Sequence, residues 1–396
     1  MNGSKLTKPG YIILLYVSIA MFSSGHAAEQ APWRFVSMPD FLNVDTEYPQ
    51  PGWEDALGTI LKSVKSEKPD FVVVPGDLVM GEWHGGKTRP GIPGIEHFAK
   101  RYYSAWKARL KAHGLAWYTA LGDHELGDNS WHYTHALEYV AAYKRAFREH
   151  LSMPLNGPTH LKGTAFYWQH KNVLFISVDV FEIGQSKQGV VRTGVTGEQL
   201  AWMERVIAEH SQVDHVIVMG HAPCLGPVRM WSSSGLMIIG GQESEFWQTM
   251  KRHQVALYLC GEVHAITCTE RDGVQQIAHG GLIGYNTRTN YLVVDVYPDR
   301  LDLTIKEIDL LPSGEKLWQP GNNRPLERVT IMPEMKARGF LPVGTLTIDT
   351  GSNARRFLNA QGYFLKRFET STERGRPVFS GGKPLARINL DGTVTQ

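Results

Sequence analysis

Cysteine is scarce in this chain: three residues in 396, Cys224, Cys260 and Cys268. Three thiols cannot make a disulfide framework, although Cys260 and Cys268 could pair across a turn in an oxidising compartment. Net charge is scarce as well. Lys5 and Lys8 are the only ionised side chains in the first 27 residues, so removing them from 41 Lys and Arg leaves 39 against 39 Asp and Glu. A neutral chain offers no basic field for nucleic acid or an anionic surface. Internal repeats and low-complexity tracts are missing, which excludes solenoids and arrays. No Gly-rich phosphate-binding loop, serine elbow or G-x-G-x-x-G unit is read in the chain, so no nucleotide cofactor is implied. Long apolar runs are confined to the start, where GYIILLYVSIAMF follows Lys5 and Lys8 and precedes the small residues of SGHAAEQ. That run is short of the roughly 20 residues a spanning helix needs. It reads as a signal peptide over 1–27 cut after Ala27, with export to the periplasm or medium expected and no transmembrane helix thereafter.

What is present is length and pattern. At 396 residues and 42% apolar content, a single short domain is excluded. WEDALGTILKSVKSE places Ala56, Leu57, Ile60, Leu61 and Val64 on one helical face, and TGEQLAWMERVIAEH does the same with Leu200, Met203, Val206 and Ile207. Thr196 and Gln199 have the spacing of a capping box for the second helix. Further helices are expected near 95–112, 134–150 and 243–253. TAFYWQHKNVLFISVD reads as strand, turn, strand, and residues 256–306 as strands with short turns. Strands alternate first with helices and then with hairpins, which predicts mixed sheets covered by helices. After Leu311 the segment LPSGEKLWQPGNNRP opens a tail with thirteen Lys and Arg against seven Asp and Glu. Residues 28–311 are therefore expected to form the main domain and 312–396 a linker with a small β-rich appendage.

The chemistry gathers where apolar runs stop. RFVSMPD ends at Asp40, FVVVPGD at Asp77, LAWYTALGDHE at Asp123 and His124, HVIVMGHAP at His221, and VALYLCGEVH at Glu262 and His264. A buried strand end is an expensive place for a charge unless it is paired or coordinated. In open α/β sheets the functional crevice lies beyond the carboxyl ends of the strands. Glycine directly before Asp77, Asp123, His221 and Glu262 lets the backbone turn closely. The set offers carboxylates and imidazoles without an obligatory thiolate, which suits Mn, Fe, Zn or Mg. Six donors exceed what one tetrahedral ion uses, whereas two ions sharing a bridging carboxylate would use them. Such a pair, about 3.5–4 Å apart, brings the pKa of a bound water to about 7 and clamps the attacking and leaving oxygens of an in-line displacement.

The order of these motifs resembles the calcineurin-like metallophosphoesterase superfamily, whose pattern runs D-x-H, G-D, G-N-H-D/E, a lone His and G-H-x-H. The resemblance covers roughly Trp33 to Asp309. It implies an α/β fold of two packed mixed β-sheets flanked by helices, a four-layer sandwich, with two divalent ions at the strand ends. It further implies that Asp40 and His264 hold the first ion, that Asp77 bridges, and that Asp123, His221 and Glu262 hold the second. His124 is placed to assist the leaving group while a metal-bound hydroxide attacks a small phosphate mono- or diester. Glu125 is expected to fix the loop. AHGG, from His279, is expected to follow a strand near the site, its glycines allowing close approach.

Three positions depart from the family pattern. Leu42 stands where D-x-H has histidine, with Asn43 beside it as a tentative metal or substrate contact. Asp123 replaces asparagine and Glu262 replaces the first histidine of G-H-x-H, so the second ion gains carboxylate donors and should become harder. A non-catalytic metal- or phosphate-binding protein on the same fold is the alternative, and a scaffold acting through the basic tail is a third.

Overall fold

The computed structural model describes Met1 and residues 32–40, 53–79, 91–127, 136–186, 189–228, 235–281, 288–309, 311–318, 326–331, 333–351, 355–365, 370–373, 376–379, 387–388, 390 and 394–395. Apart from Met1, the expected signal peptide lies outside these, as do the positions Leu42 and Asn43.

The first apolar runs form β1 (Trp33–Ser37), β2 (Phe71–Val74) and β3 (Trp117–Thr119), paired parallel in that order. The intervening segments are helices: α1 (Trp53–Ser66) between β1 and β2, and α2 (Ile92–Ala112) between β2 and β3. After α3 (Ala136–Leu151) come β4 (Phe166–His170), β5 (Val173–Ser177), the hairpin β6 (Phe181–Ser186) and β7 (Gly189–Thr193), α4 (Gly197–Glu209) and β8 (His215–Met219). Then follow α5 (Glu245–Arg252), β9 (Leu257–Cys260), β10 (Thr267–Arg271) and β11 (Val274–Ala278), with β12 (Arg288–Val296) and β13 (Arg300–Asp309) closing the region. All five helices fall where the periodicity puts them. On α1 the residues Ala56, Leu57, Ile60, Leu61 and Val64 are buried, and on α4 so are Leu200, Met203, Val206 and Ile207.

Beyond Leu311 the chain forms β14 (Leu311–Trp318), β15 (Leu326–Thr330), α6 (Pro333–Arg338), β16 (Leu341–Asp349) and β17 (Arg356–Gly362). Two large mixed sheets result. One has seven strands in the order β17-β16-β13-β12-β1-β2-β3 and the other six in the order β10-β11-β9-β8-β5-β4. Runs such as FVVV, VLFIS and LYLC are buried at every residue, as strands covered on both faces must be. Aromatic side chains join the sheets: the Phe35 and Phe175 rings meet edge to face at 5.2 Å, and Tyr118 stacks on Trp168 at 3.9 Å. Helices cover the outer faces, so the α/β sandwich of two packed mixed sheets is the observed fold.

The structure departs from three expectations. The chain does not leave the main body at 311. Residues Pro32–Gln396 form one compact unit, and β16 pairs antiparallel with β13 from Arg300↔Asp349 to Glu307↔Leu341. Thr196 does occupy the N-cap of α4, but its side chain makes no capping bond; its hydroxyl donates to Glu182 at 3.1 Å, while Gln199 brackets the backbone N–H and carbonyl of Asp179. Cys260 and Cys268 are unpaired. They sit on β9 and β10 with β11 between them. Two strand spacings, about 9–10 Å, exceed the reach of a disulfide. Among the described residues no helix is long and apolar enough to cross a membrane.

Candidate metal centre

Every candidate donor lies just past the carboxyl end of a strand. Asp40 follows β1, Asp77 follows β2, Asp123 and His124 follow β3, His221 follows β8, and Glu262 and His264 follow β9. The first four come from one sheet and the last three from the other. To aim a side chain over the sheet edge, the backbone must reverse within two or three residues of the strand. Asp40, Asp77, Glu262 and His264 do so in the left-handed region, at φ 52°, 61°, 69° and 56°. They make up four of the ten non-glycine residues with positive φ among those described. Each such conformation costs roughly 1–2 kcal/mol, and such outliers persist where the surroundings over-determine them.

Those surroundings are visible. Asp40 N donates to the Gly76 carbonyl at 3.2 Å, and Glu262 N donates to Asp40 Oδ1 at 3.1 Å. Glu125 is fully buried and its carboxylate gathers four backbone amides: Asp77 and Gly122 on Oε2 at 2.9 and 2.8 Å, Leu78 and Val79 on Oε1 at 2.7 and 3.3 Å. It therefore fixes the loop, as expected. Gly122 has no alternative, because a Cβ there would stand 2.1 Å from Asp77 Oδ1 and 2.4 Å from Asp77 N. Gly280, at φ 114°, presses on the other side, where a Cβ would meet the Pro39 carbonyl at 2.4 Å and Asp40 Oδ2 at 2.7 Å. The expectation for the AHGG segment thus holds.

Behind Gly280 is a support that the sequence does not reveal. Asn290 Oδ1 accepts the Gly280 amide at 2.9 Å and lies 3.1 Å from His279 Nδ1, and His279 Nε2 lies 2.9 Å from Ser37 Oγ. An oxygen that already accepts requires His279 Nδ1 to donate, so Ser37 donates to Nε2. Burial, opposed by the Asn290 contact, pushes the His279 pKa down to about 3 and keeps this imidazole neutral. No local pattern links Ser37, His279 and Asn290; the pairing of β1 with β12 sets Ser37 near Asn290, and His279 comes to them from the end of β11 in the other sheet.

The donors converge on His221. Its Nδ1 donates to the Pro75 carbonyl at 2.9 Å. Its Nε2 faces Asp123 Oδ1 at 3.1 Å, Asp77 Oδ1 at 3.4 Å and Glu262 Oε2 at 3.6 Å. With Nδ1 committed as donor, neutral His221 presents a lone pair to three carboxylates. In that neutral form acceptors face acceptors, an arrangement that a proton on Nε2 or a bound cation relieves. Among the described residues, His221 Nε2, Asp40 Oδ2, Asp77 Oδ2 and Asp123 Oδ1 are buried without a hydrogen-bond partner. Three donor groups have ligand atoms all within 4.8 Å of one another: Asp40, Asp77 and His221; Asp77, Asp123 and His124; Asp123, His221 and Glu262. His264 belongs to none of these, but its Nε2 is 3.6 Å from Asp40 Oδ1. All six expected ligands and His124 thus line one pocket. Asn43 lies outside the described residues.

The electrostatics call for a cation. Burial, with the nearby charges of Glu262 and Asp123 and against the opposing charge of His221, pushes the Asp40 carboxyl up to about 7. Burial likewise holds Asp77 well above the ordinary carboxylate range. For Asp123 burial acts upward, but the contact with His221 and the charges of His124 and His221 outweigh it and hold the group below that range. Burial would strip His221 of a proton; the charge of Asp77 and the contacts with Asp123 and Glu262 overcome that and raise its pKa well above normal. The pocket therefore pulls positive charge toward Nε2. Oxygen and imidazole donors without thiolate fit a hard or borderline divalent ion. Cys260, at the end of β9, turns its sulfur away to the Ile277 carbonyl at 3.6 Å.

Residues 36–265 match the calcineurin-like phosphoesterase family. The chain belongs to that family. The match spans Asp40 to His264 and so takes in the whole pocket. No curated protein sequence matches the chain. Among solved structures, it is similar to a dimetal phosphatase from Danio rerio at 14% identity and TM-score 0.45, covering 69% of this chain and 95% of that one. It is also similar to GAP50, the anchor in the inner membrane complex of Plasmodium, at 15% identity and TM-score 0.43, covering 77% and 91%. A third is the phosphopantetheinyl hydrolase of Mycobacterium tuberculosis, at 12% identity and TM-score 0.33, covering 64% and 91%. The expectation that no Gly-rich phosphate-binding loop is present needs correction, because GEWHGGKT at 81–88 has the G-x-x-x-x-G-K-T spacing of one. It lies outside the described residues.

Proposed function

We propose that the chain is a metal-dependent phosphoesterase acting on a small phosphate ester, with Asp40, Asp77, Asp123, His221, Glu262 and His264 as the cation donors. One observation carries this reading. His221 Nε2, Asp40 Oδ2, Asp77 Oδ2 and Asp123 Oδ1 are buried close together without a hydrogen-bond partner among the described residues, which leaves them available to a cation. Bound divalent cations would supply charge neutralisation, activation of a water and a clamp for phosphate oxygens.

The remaining work falls to side chains of the chain itself. His124 sits at the rim, its side chain 11% exposed, with Nε2 3.8 Å from Asp77 Oδ2. The turn His124–Leu126 is held by Glu125 beneath it, so the imidazole has a fixed approach to the leaving oxygen and can hand it a proton from Nε2. A protein that only bound metal or phosphate would have no use for such a donor.

The test is hydrolysis of chromogenic phosphate mono- and diesters by the purified full chain with added divalent ions. Hydrolysis should require the ion and stop with a chelator. His124→Asn should lower kcat by about 10²–10³-fold, the contribution of a general acid, while metal content stays at the wild-type level. Wild-type kcat in His124→Asn would overturn the assignment of His124. Absence of hydrolysis from a metal-loaded chain would favour the binding-only reading.

A further inference from the structure

One strand-end carboxylate takes no part in the metal pocket. Asp179 lies just past β5, and β8, the neighbour of β5 in the sheet, leads to His221. Asp179 instead lines a separate cavity of about 310 Å³, bounded by α3, the β6–β7 hairpin and the start of α4. Phe181 joins the two sites: it lines the cavity, its carbonyl accepts Lys144 Nζ at 2.6 Å, and its ring lies 6.3 Å from that of His221. A second link runs through the segment 236–239. The Ile239 amide donates to the Thr193 carbonyl of β7 at 2.9 Å, and the Leu236 amide donates to Glu262 Oε1 at 2.9 Å.

The inner carboxylates of this cavity are matched by their neighbours. Asp179 Oδ1 accepts the Phe181 amide at 3.1 Å, and Oδ2 faces Lys144 Nζ at 2.8 Å as an ion pair without hydrogen-bond alignment. Glu182 accepts Arg192 Nε and Nη2 at 3.0 and 2.9 Å and also the amide and hydroxyl of Thr196. Donors are left over. An ammonium carries three hydrogens; Lys144 spends one on Phe181, and its side chain is 15% exposed. Arg192 Nη1 and the first-turn amides of α4, those of Gly197, Glu198 and Gln199, have no hydrogen-bond partner among the described residues. A Cβ on Gly197 would meet nothing within 4 Å, so ligand atoms have room there. A guanidinium and a helix N-terminus are both receptors for carboxylates. Two cations against two inner carboxylates leave no surplus charge for a dianion, and Glu198 at the mouth is turned to His160 at 3.3 Å. Leu161 and Ile183 supply apolar lining, Ile183 being 56% exposed. We infer that the cavity is a second ligand site, for a small monocarboxylate with an apolar body, held by Lys144, Arg192 and the start of α4.

Benzoate, its neutral counterpart benzamide and the cation benzylamine serve as probes, titrated calorimetrically into the full chain with Mn²⁺ present. Benzoate should bind at least about tenfold more tightly than benzamide, because hydrogen bonds to a charged group are roughly twice as strong as neutral ones, and benzylamine should be the weakest of the three. Lys144→Met removes the ammonium, and Ile183→Glu sets a second carboxylate at the lip. Each variant, checked for native circular dichroism and wild-type metal content, should lose at least about tenfold in benzoate affinity. Ile183→Glu alters an exposed side chain, so it decides the matter if Lys144→Met does not fold. No benzoate binding, binding no tighter than that of benzamide, or binding unchanged in either folded variant would overturn the site and leave the metal centre standing. The same probe in the hydrolysis assay separates two sources of the carboxylate. A rise in KM alone marks it as part of the substrate's leaving group, and a change in kcat marks a separate effector. This kinetic arm alone rests on the phosphoesterase reading, so a chain that hydrolyses no ester would overturn that reading while the titrations still decide the site.

Discussion

Glu125 shows how much of this pocket is decided by single side chains. A carboxylate can accept four amides at once because both oxygens are acceptors. Glutamine has the same shape but replaces one oxygen with a donor, which would face two backbone N–H groups. Glu125→Gln should therefore cost about 2–4 kcal/mol, the loss of two buried bonds plus the groups left unsatisfied, with metal affinity falling alongside as Asp77 loosens. Chemical denaturation and metal titration on one sample would check it, and an unchanged denaturation midpoint would refute it. At this scale the strand-end donors were legible because a polar residue after an apolar run, with glycine before it, is a local signal. Ser37, Asn290 and Leu236 carried no such signal, although the AHGG segment of His279 did. They act through backbone and strand pairing with residues distant in sequence, so only the folded chain shows that they hold Asp40 and Glu262.

At the scale of elements, helices and buried strands followed from periodicity and the burial they imply. The tail did not. The composition of 311–325 predicts a linker, and composition reports local stiffness but not where the chain goes next. It returns as β16 on the edge of β13, burying Val343, Leu346 and Ile348. Just before β17, Arg355 donates to the carbonyls of Val255 and Gly273 at 2.8 and 2.7 Å and of Gln254 at 2.6 Å, tying the seven-stranded sheet to the loops of the six-stranded one. Each of those apolar side chains contributes about 1.5–3 kcal/mol on burial, so their sum rivals the net stability of a domain. A chain ending at 310 should give little soluble protein and lose its cooperative thermal transition by circular dichroism. A truncated chain melting at the wild-type temperature would show that the tail is a separable appendage after all.

At the scale of the molecule, the pocket exists only where the two sheets meet. The seven-stranded sheet brings Asp40, Asp77, Asp123 and His124; the six-stranded sheet brings His221, Glu262 and His264. The sandwich was legible in the alternation of elements and in the family resemblance. That the two sheets divide the donors between them was not, because strand order is a property of the fold and not of any local stretch. A cation between these groups would bind the folded state alone and stabilise it, by about 2.7 kcal/mol at one hundred times its Kd. The central claim is therefore spatial, that a divalent ion sits between the two sheets against His221. The most direct test is diffraction from crystals grown with Mn²⁺, recorded at the manganese absorption edge. The account predicts an anomalous peak about 2.0–2.3 Å from His221 Nε2 and from a carboxylate oxygen of Asp123, Asp77 or Glu262. A pocket without such a peak, with His221 closed onto Asp123 in an ion pair, would contradict it.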